Sequence, residues 1–350
     1  MKHDEPVYSA PGLRKVLHWK LVLIYLLLFL GLSIILTTAI GPVYVPPQEI
    51  VALFGSKLGL CVPSSVAHEV IIFEIRLPRI FLGLLVGIAL ATAGTALQGL
   101  FKNPMADPYI IGIASGASVG AALSILVIPQ VFSIYTTPLM AFLGALCTIL
   151  AVYNIAKVGG RIPVDTLLLT GIAVSLFLGA VLSFMMSIAG EALHNIFFWT
   201  MGGFWLANWT KVKITLLPVL LSFGVIYLFA KDLNAMLLGE ESAQTLGINV
   251  ETAKRILLVL AAFITAAAVA FTGTIGFVGL IIPHITRILV GPDHRILFPA
   301  SALLGGIFLI WTDALARLLA EMPVGVITAF FGAPFFIYLL KKRKSGYALA

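Results

Sequence analysis

Apolar residues run through this 350-residue chain in long stretches, separated by shorter polar segments. About 20 apolar residues in a row make a helix long enough to cross a hydrocarbon layer ~30 Å thick. A membrane β-barrel would instead alternate apolar and polar positions. The pattern predicts an all-α polytopic membrane protein with ten spans, near residues 20–41, 79–99, 110–128, 137–156, 165–188, 213–230, 256–272, 276–290, 297–319 and 324–340. The eighth is short and carries Pro283, which predicts a kink with its freed carbonyl satisfied by neighbouring helices. The first is too long for a signal-peptide core and lacks an A-x-A cleavage site, so it is expected to be retained.

Composition agrees with that solvent. The mean hydropathy is +1.09, and charged residues make up 11% of the chain, against roughly a quarter in soluble domains. With the amino terminus inside, most basic residues fall in inside segments, from Lys2, Arg14, Lys15 and Lys20 to Lys341, Lys342, Arg343 and Lys344. Outside segments keep Lys57, Arg76, Arg79, Lys211, Lys213 and Arg317. This is the positive-inside bias, and an even number of spans puts both termini in the cytoplasm. The net charge of +7 is then explained by topology and anionic lipid, and no nucleic-acid partner is expected. Cys61 falls in an outside loop and Cys147 within a span, which argues against a disulfide between them.

Three segments are longer than connectors. Gly41 to Arg79 is the first. The second, Ser187 to Lys213, holds "NIFFWTMGGFWLANW", whose tryptophans suit either an aromatic belt or a re-entrant helix. The third, Lys231 to Arg255, contains "LLGEESAQTLGI". Its pattern predicts one or two short amphipathic helices broken at Gly239 and Gly247. Such a module fits a groove of a cytoplasmic partner or lies at the membrane interface.

The sequence offers little for catalysis. It has no HExxH, no GxSxG and no paired intramembrane acids, and no lysine follows a glycine, which excludes a Walker A loop. A secondary transporter would need ion sites in the spans, and Asp313 is the one deep acid available. His284 has no partner at helical spacing and is expected to be structural, and no metal site is expected. Gly112, Gly116 and Gly120, four apart, form a face for close helix approach. Asp313 and Arg317 are spaced to pair along one helix.

Several motifs occur together and in order. They are "RLPR" at Arg76, "LQGLFKNPMADPYIIGIASGASVG" from Leu97, "MGGF" at Met201 and "LLGEESAQTLGI" from Leu237. "GTIGFVGLIIPHITR" from Gly273, "DHR" at Asp293, "DALARL" at Asp313 and "PVGVITAFFGAPFFIYLL" from Pro323 follow. From about residue 70 onward the chain resembles the FecCD-type permeases, the transmembrane subunits of iron-siderophore, haem and vitamin B12 importers of the ATP-binding-cassette class. The resemblance implies a type II importer permease fold, with a tail over 1–19, a permease domain over 20–340 and a tail over 341–350. It implies the cytoplasmic (inner) membrane as location.

Its implied partners are a second copy of the chain, two ATPase subunits, an extracytoplasmic substrate-binding protein and membrane lipid. ATP and Mg would be used by the ATPase, with no cofactor on this chain. The coupling segment, about 231–255, would contact the ATPase through Leu238, Gly239, Glu240, Ser242, Ala243, Leu246 and Gly247. Arg76, Arg79 and Arg317 would dock the binding protein, with snorkelling at a helix end as the plainer reading. Asn103, Met105, Val164 and Asp165 match inside-gate positions, although the B12 importer's Thr/Ser pair is replaced by Val164 and Asp165. Gly171, Ser175, Gly179 and Ser183 would line the path, or else serve helix packing. An iron chelate is the first expected substrate, and a corrinoid the alternative.

Overall fold

The computed structural model describes residues 11–57, 59, 65–128, 135–159 and 163–347, and the regular elements among them are helices. Among the described residues, seven helices are long and apolar enough to cross a membrane, and three shorter apolar ones, Ile113–Leu126, Val278–Val290 and Val324–Tyr338, fall at the third, eighth and tenth expected spans. Helix α1 (Pro11–Ala39) starts earlier than the pattern predicts. It lies on the outside of the bundle, seating Trp19, Val22, Leu23 and Leu26 on Val290, Ile296, Leu297 and Ala300. Residues 1–10 and Cys61 lie outside the described residues, and Cys147 is a free, exposed thiol.

After the amphipathic α2 (Pro47–Lys57), helix α3 (Val66–Val70) runs through a π turn at Ile71–Arg76 into α4 (Leu77–Leu100). The second expected span is therefore part of a 35-residue helix. Pro78 explains the π turn. It cannot donate to the carbonyl four residues back, and a wider turn, in which the Leu77 amide reaches Ile72 O, gives its ring room.

Two sets of four helices share one pattern, a short helix in second place among three long ones. The first is α4, α5 (Ile113–Leu126), α6 (Thr136–Ala156) and α7 (Val164–Ser187), with 24, 14, 21 and 24 residues. The second is α12 (Val250–Thr272), α13 (Val278–Val290), α14 (His294–Leu318) and α15 (Val324–Tyr347), with 23, 13, 25 and 24. Both short helices begin after a left-handed residue, Gly112 at φ 90° and Phe277 at φ 69°. The two loops before them meet where the Ile275 amide donates to the Tyr109 hydroxyl at 3.0 Å. The sets interlock, α4 packing on α14 and α12 on α6, as expected of an inverted repeat.

Small residues set how closely these helices approach. A Cβ added at Gly94 would lie 1.9 Å from the Gly279 carbonyl oxygen, and one at Gly87 2.2 Å from that of Gly305. Gly116 and Gly120 press in the same way against α6, at Gly144 and Met140. Gly112 is the left-handed cap before α5 and not part of the helical face. Between the two sets lie α8 (Leu193–Met201), α9 (Trp209–Leu228), α10 (Ala230–Leu237) and α11 (Glu240–Thr245). The MGGF stretch packs on the loop before α13, its Gly203 amide donating to Thr272 O at 2.8 Å.

Candidate coupling, gate and docking sites

At one end of the bundle α10 and α11 form the two short helices that the pattern predicts, with breaks at Gly239 (φ 132°) and Gly247 (φ 83°). These backbone angles suit glycine, because a Cβ is strained in the left-handed region. The module has an inner and an outer face. Leu233, Met236 and Ala243 are buried against the bundle, whereas Leu238 is 77% exposed and Leu246 68%. Ala243 is thus an inner packing residue, so a direct partner contact through its methyl is corrected. Glu241, Ser242, Gln244 and Gly247 are exposed, and Gly239 and Glu240 partly so.

Two links fasten the module to the spans. Lys254 Nζ in α12 donates to Glu240 Oε2 at 2.8 Å and lies 3.5 Å from Glu251 Oε1. Asn234 in α10 donates to Asp293 Oδ1 at 2.8 Å and accepts from the His294 amide at 2.9 Å. Asp293 also caps α14 and pairs with Arg295 at 2.7 Å. The Arg295 hydrogen bond, foremost, and that of Asn234 hold the Asp293 carboxyl well below the usual carboxylate range.

One of the candidate gate positions, Val164, adjoins this module. Pro163 and Val164 share a cleft of about 590 Å³ with Glu240, Glu241, Gln244, Glu251 and Lys254. Val164 and Lys254 also border a small void with Leu100, Phe101, Leu167 and Leu258. Asn103 shapes its own turn, its Oδ1 accepting from the Met105 amide at 3.0 Å. Asp165 sits in the first turn of α7, where the helix dipole favours an acid. Val164 and the α11 acids are therefore neighbours in space although far apart in the chain.

Residues 26–342 match the FecCD transport family. The chain belongs to the FecCD transport family. It is 46% identical to a cobalamin import system permease of Halobacterium salinarum, over 90% of this chain and 85% of that one. A hemin transport system permease of Yersinia pestis is 39% identical, over 77% and 83%. Among solved structures, one described as an inward-facing transporter of the metal-chelate ABC type superposes with a TM-score of 0.80 at 33% identity, covering 92% of this chain and 99% of its own.

At the opposite end of this FecCD-family chain two of the three arginines, Arg76 and Arg317, converge on the end of α1. Arg76 Nη1 donates to Thr38 O at 2.8 Å and Ala39 O at 3.2 Å, and its Nη2 reaches Val43 O. Arg317 donates to Ile40 O at 2.7 Å and Thr37 O at 3.0 Å. These carbonyls have no partner within the helix, and cations are favourable at a helix C-terminus. Arg79 Nε donates to Asp313 Oδ1 at 2.6 Å and its Nη1 to Glu321 Oε2 at 2.7 Å. Asp313 lies 3.2 Å from Arg317 Nε as well, so the expected intrahelical pair is present and Arg79 completes a triad. Arg76, Arg79 and Arg317 are 3–4% exposed, and so they hold α1, α4 and α14 together and are not an open basic rim.

The proposed path residues divide along α7. A Cβ on Gly171 would lie 2.6 Å from Ile110 O, which makes it a packing contact, whereas Gly179 has open space around it. Ser175 Oγ is buried without a hydrogen-bond partner, and Ser183 donates to Gly179 O at 2.9 Å. His284 packs against Phe335, centroids 6.5 Å apart. Lys254, Asn234 and Glu321 were absent from the expected sites, since each acts on a residue distant in sequence and no local spacing marks it.

Proposed function

We propose that this chain is the membrane-spanning permease of an ATP-driven importer in the cytoplasmic membrane, working as a homodimer with two separate ATPase subunits and an extracytoplasmic binding protein. The observation that carries the ATPase partnership is the pair Leu238 and Leu246, exposed at 77% and 68% on a polar module fastened rigidly to the spans. Exposed leucines beside acids on a module of this kind suit a partner's groove. The adjoining cleft offers the route: movement of α11 is transmitted through Lys254 to α12 and through the shared wall to Val164. ATP and Mg act on the partner, and this chain makes no covalent change in the cargo.

The same reading gives the arginine triad a positioning role. It fixes the outer ends of α1, α4 and α14, on which the binding protein docks, so docking depends on Arg76, Arg79 and Arg317 through the shape they hold. α7 presents Leu169, Leu176, Phe177 and Phe184 outward, an apolar face suited to the second copy beside the path. Asn103, Met105, Val164 and Asp165 form the inner gate, and both termini lie inside with ten crossings.

For the cargo we infer a bulky metal chelate. The 46% relative named for cobalamin and the 39% relative named for hemin favour a macrocyclic chelate, which moves a corrinoid ahead of a ferric siderophore. Uptake of radiolabelled cobalamin, haem and a ferric siderophore into proteoliposomes holding the complete assembly tests this. Saturable ATP-dependent uptake of a macrocycle supports the inference, and uptake of the siderophore alone overturns it.

A further inference from the structure

At the end of the bundle away from the coupling module, α6, α9 and α12 leave a groove of about 550 Å³ between them, lined by Pro138, Phe142, Thr215, Pro218, Phe263 and Phe271 among others. We propose that this groove holds an acyl chain of an anionic phospholipid whose phosphate sits on Lys211, with Lys213 adding positive charge at the same depth.

The first argument is depth. α6 and α9 begin at this end and α12 finishes there. From Phe271 to Phe263 the groove descends about 12 Å at 1.5 Å per residue, close to one leaflet of a ~30 Å hydrocarbon layer. A chain lying along it stays within a single leaflet.

The second argument is an unmet polar pair in an otherwise apolar lining. Thr95, Thr148, Thr265, Thr272, Thr286 and Thr312 all donate to the carbonyl four residues back. Thr215 does not. It is 1% exposed, lines the groove, and its Oγ1 has no partner. Pro218 has no amide hydrogen, so the Ile214 carbonyl also lacks its helical donor. A hydroxyl at this depth fits a lipid ester oxygen, which accepts from Thr215 Oγ1 and makes the occupant amphipathic.

The third argument is charge. Lys211 is one turn before Thr215 on the buried stripe of α9, about 6 Å nearer the headgroups. Helical side chains lean toward the N-terminus, which carries its ammonium farther that way. Lys211 is 6% exposed and its Nζ makes no hydrogen bond or ion pair among the described residues. Lys213 is exposed on the other side of α9 at a similar depth. A mostly buried ammonium favours an anionic neighbour, and basic residues near a membrane surface attract anionic headgroups. The order phosphate, ester, acyl chain matches Lys211, Thr215 and the aromatic lining in turn.

The test places the full chain in nanodiscs of equimolar phosphatidylglycerol and phosphatidylcholine and counts retained lipid by native mass spectrometry, with inorganic phosphate titrated separately. One phosphatidylglycerol per chain is expected, preferred on the order of tenfold over phosphatidylcholine. Lys211→Gln with Lys213→Gln should bring the two lipids to parity, Lys213→Gln alone should reduce the preference, and Leu139→Trp at the exposed wall should displace both. Parity in the natural chain, a preference that survives the double lysine variant, or retention of phosphate without lipid would overturn the site. So would a Leu139→Cys variant lacking Cys61 and Cys147 that cross-links two copies, since the groove would then face a second chain.

Discussion

Lys254, near the start of α12, holds Glu240 at the start of α11, Nζ to Oε2 2.8 Å. The module of α10 and α11 is thereby tied to the 23-residue helix α12. Glu240 is thereby turned toward the spans, while Glu241 and the two leucines stay exposed.

Glu240→Gln removes an ion pair with one partly exposed member, so its stability cost should be about 1 kcal/mol or less. Uptake should fall much further than the melting temperature, because the link from α11 to α12 is weakened. Thermal melting in detergent beside ATP-driven uptake checks this. A fall in both to the same degree would make the pair merely structural.

Asp313→Asn should be the most damaging polar change at the far end. Arg317 would be left buried without an acid partner and Arg79 with Glu321 alone, and breaking a buried ion pair costs about 3–5 kcal/mol. Asp313 is 0% exposed, so water cannot compensate. The melting temperature should drop sharply, and the α1 end should gain hydrogen exchange at Thr37 to Ile40.

Gly94→Ala and Gly179→Ala separate packing from open space. The first forces a Cβ to 1.9 Å from Gly279 O, while the second meets nothing within 4 Å. Overpacking should cost Gly94→Ala about 1–3 kcal/mol, with Gly179→Ala near neutral in melting. Reduced uptake in a stable Gly179→Ala would support its place on the path.

Much of the bundle was legible in the sequence because span length and polarity are local properties. The breaks at Gly239 and Gly247 were legible for the same reason. What escaped was whatever depends on distant neighbours. Arg76, Arg79 and Arg317 look like an outer rim when only their topological side is known, and the carbonyls of α1 that bury two of them lie far away in sequence. Lys254 likewise looks like one more inside lysine. The early start of α1 and the π turn before α4 escaped because hydropathy marks the apolar core of a helix and not its hydrogen-bonded ends.

Asp293 gives a pH signature. Its carboxyl is held below the ordinary range by Arg295 and Asn234, so the folded state binds its proton less readily than the unfolded one. The contribution is complete above about pH 4, the ordinary Asp value, and is lost as pH falls through the lower folded value. Asp293→Asn should therefore flatten the acid side of a melting-temperature profile while leaving the slope above neutral pH unchanged.

The central claim is that α10 and α11 present the ATPase contact. The most direct measurement is affinity purification of the tagged chain from its native membranes in mild detergent, with mass spectrometry of co-purifying proteins. The natural chain should bring an ATP-binding-cassette ATPase, and Leu238→Asp with Glu241→Arg should lose it while melting like the natural chain. An ATPase retained equally by both, or absent from both even after mild cross-linking, would contradict the account.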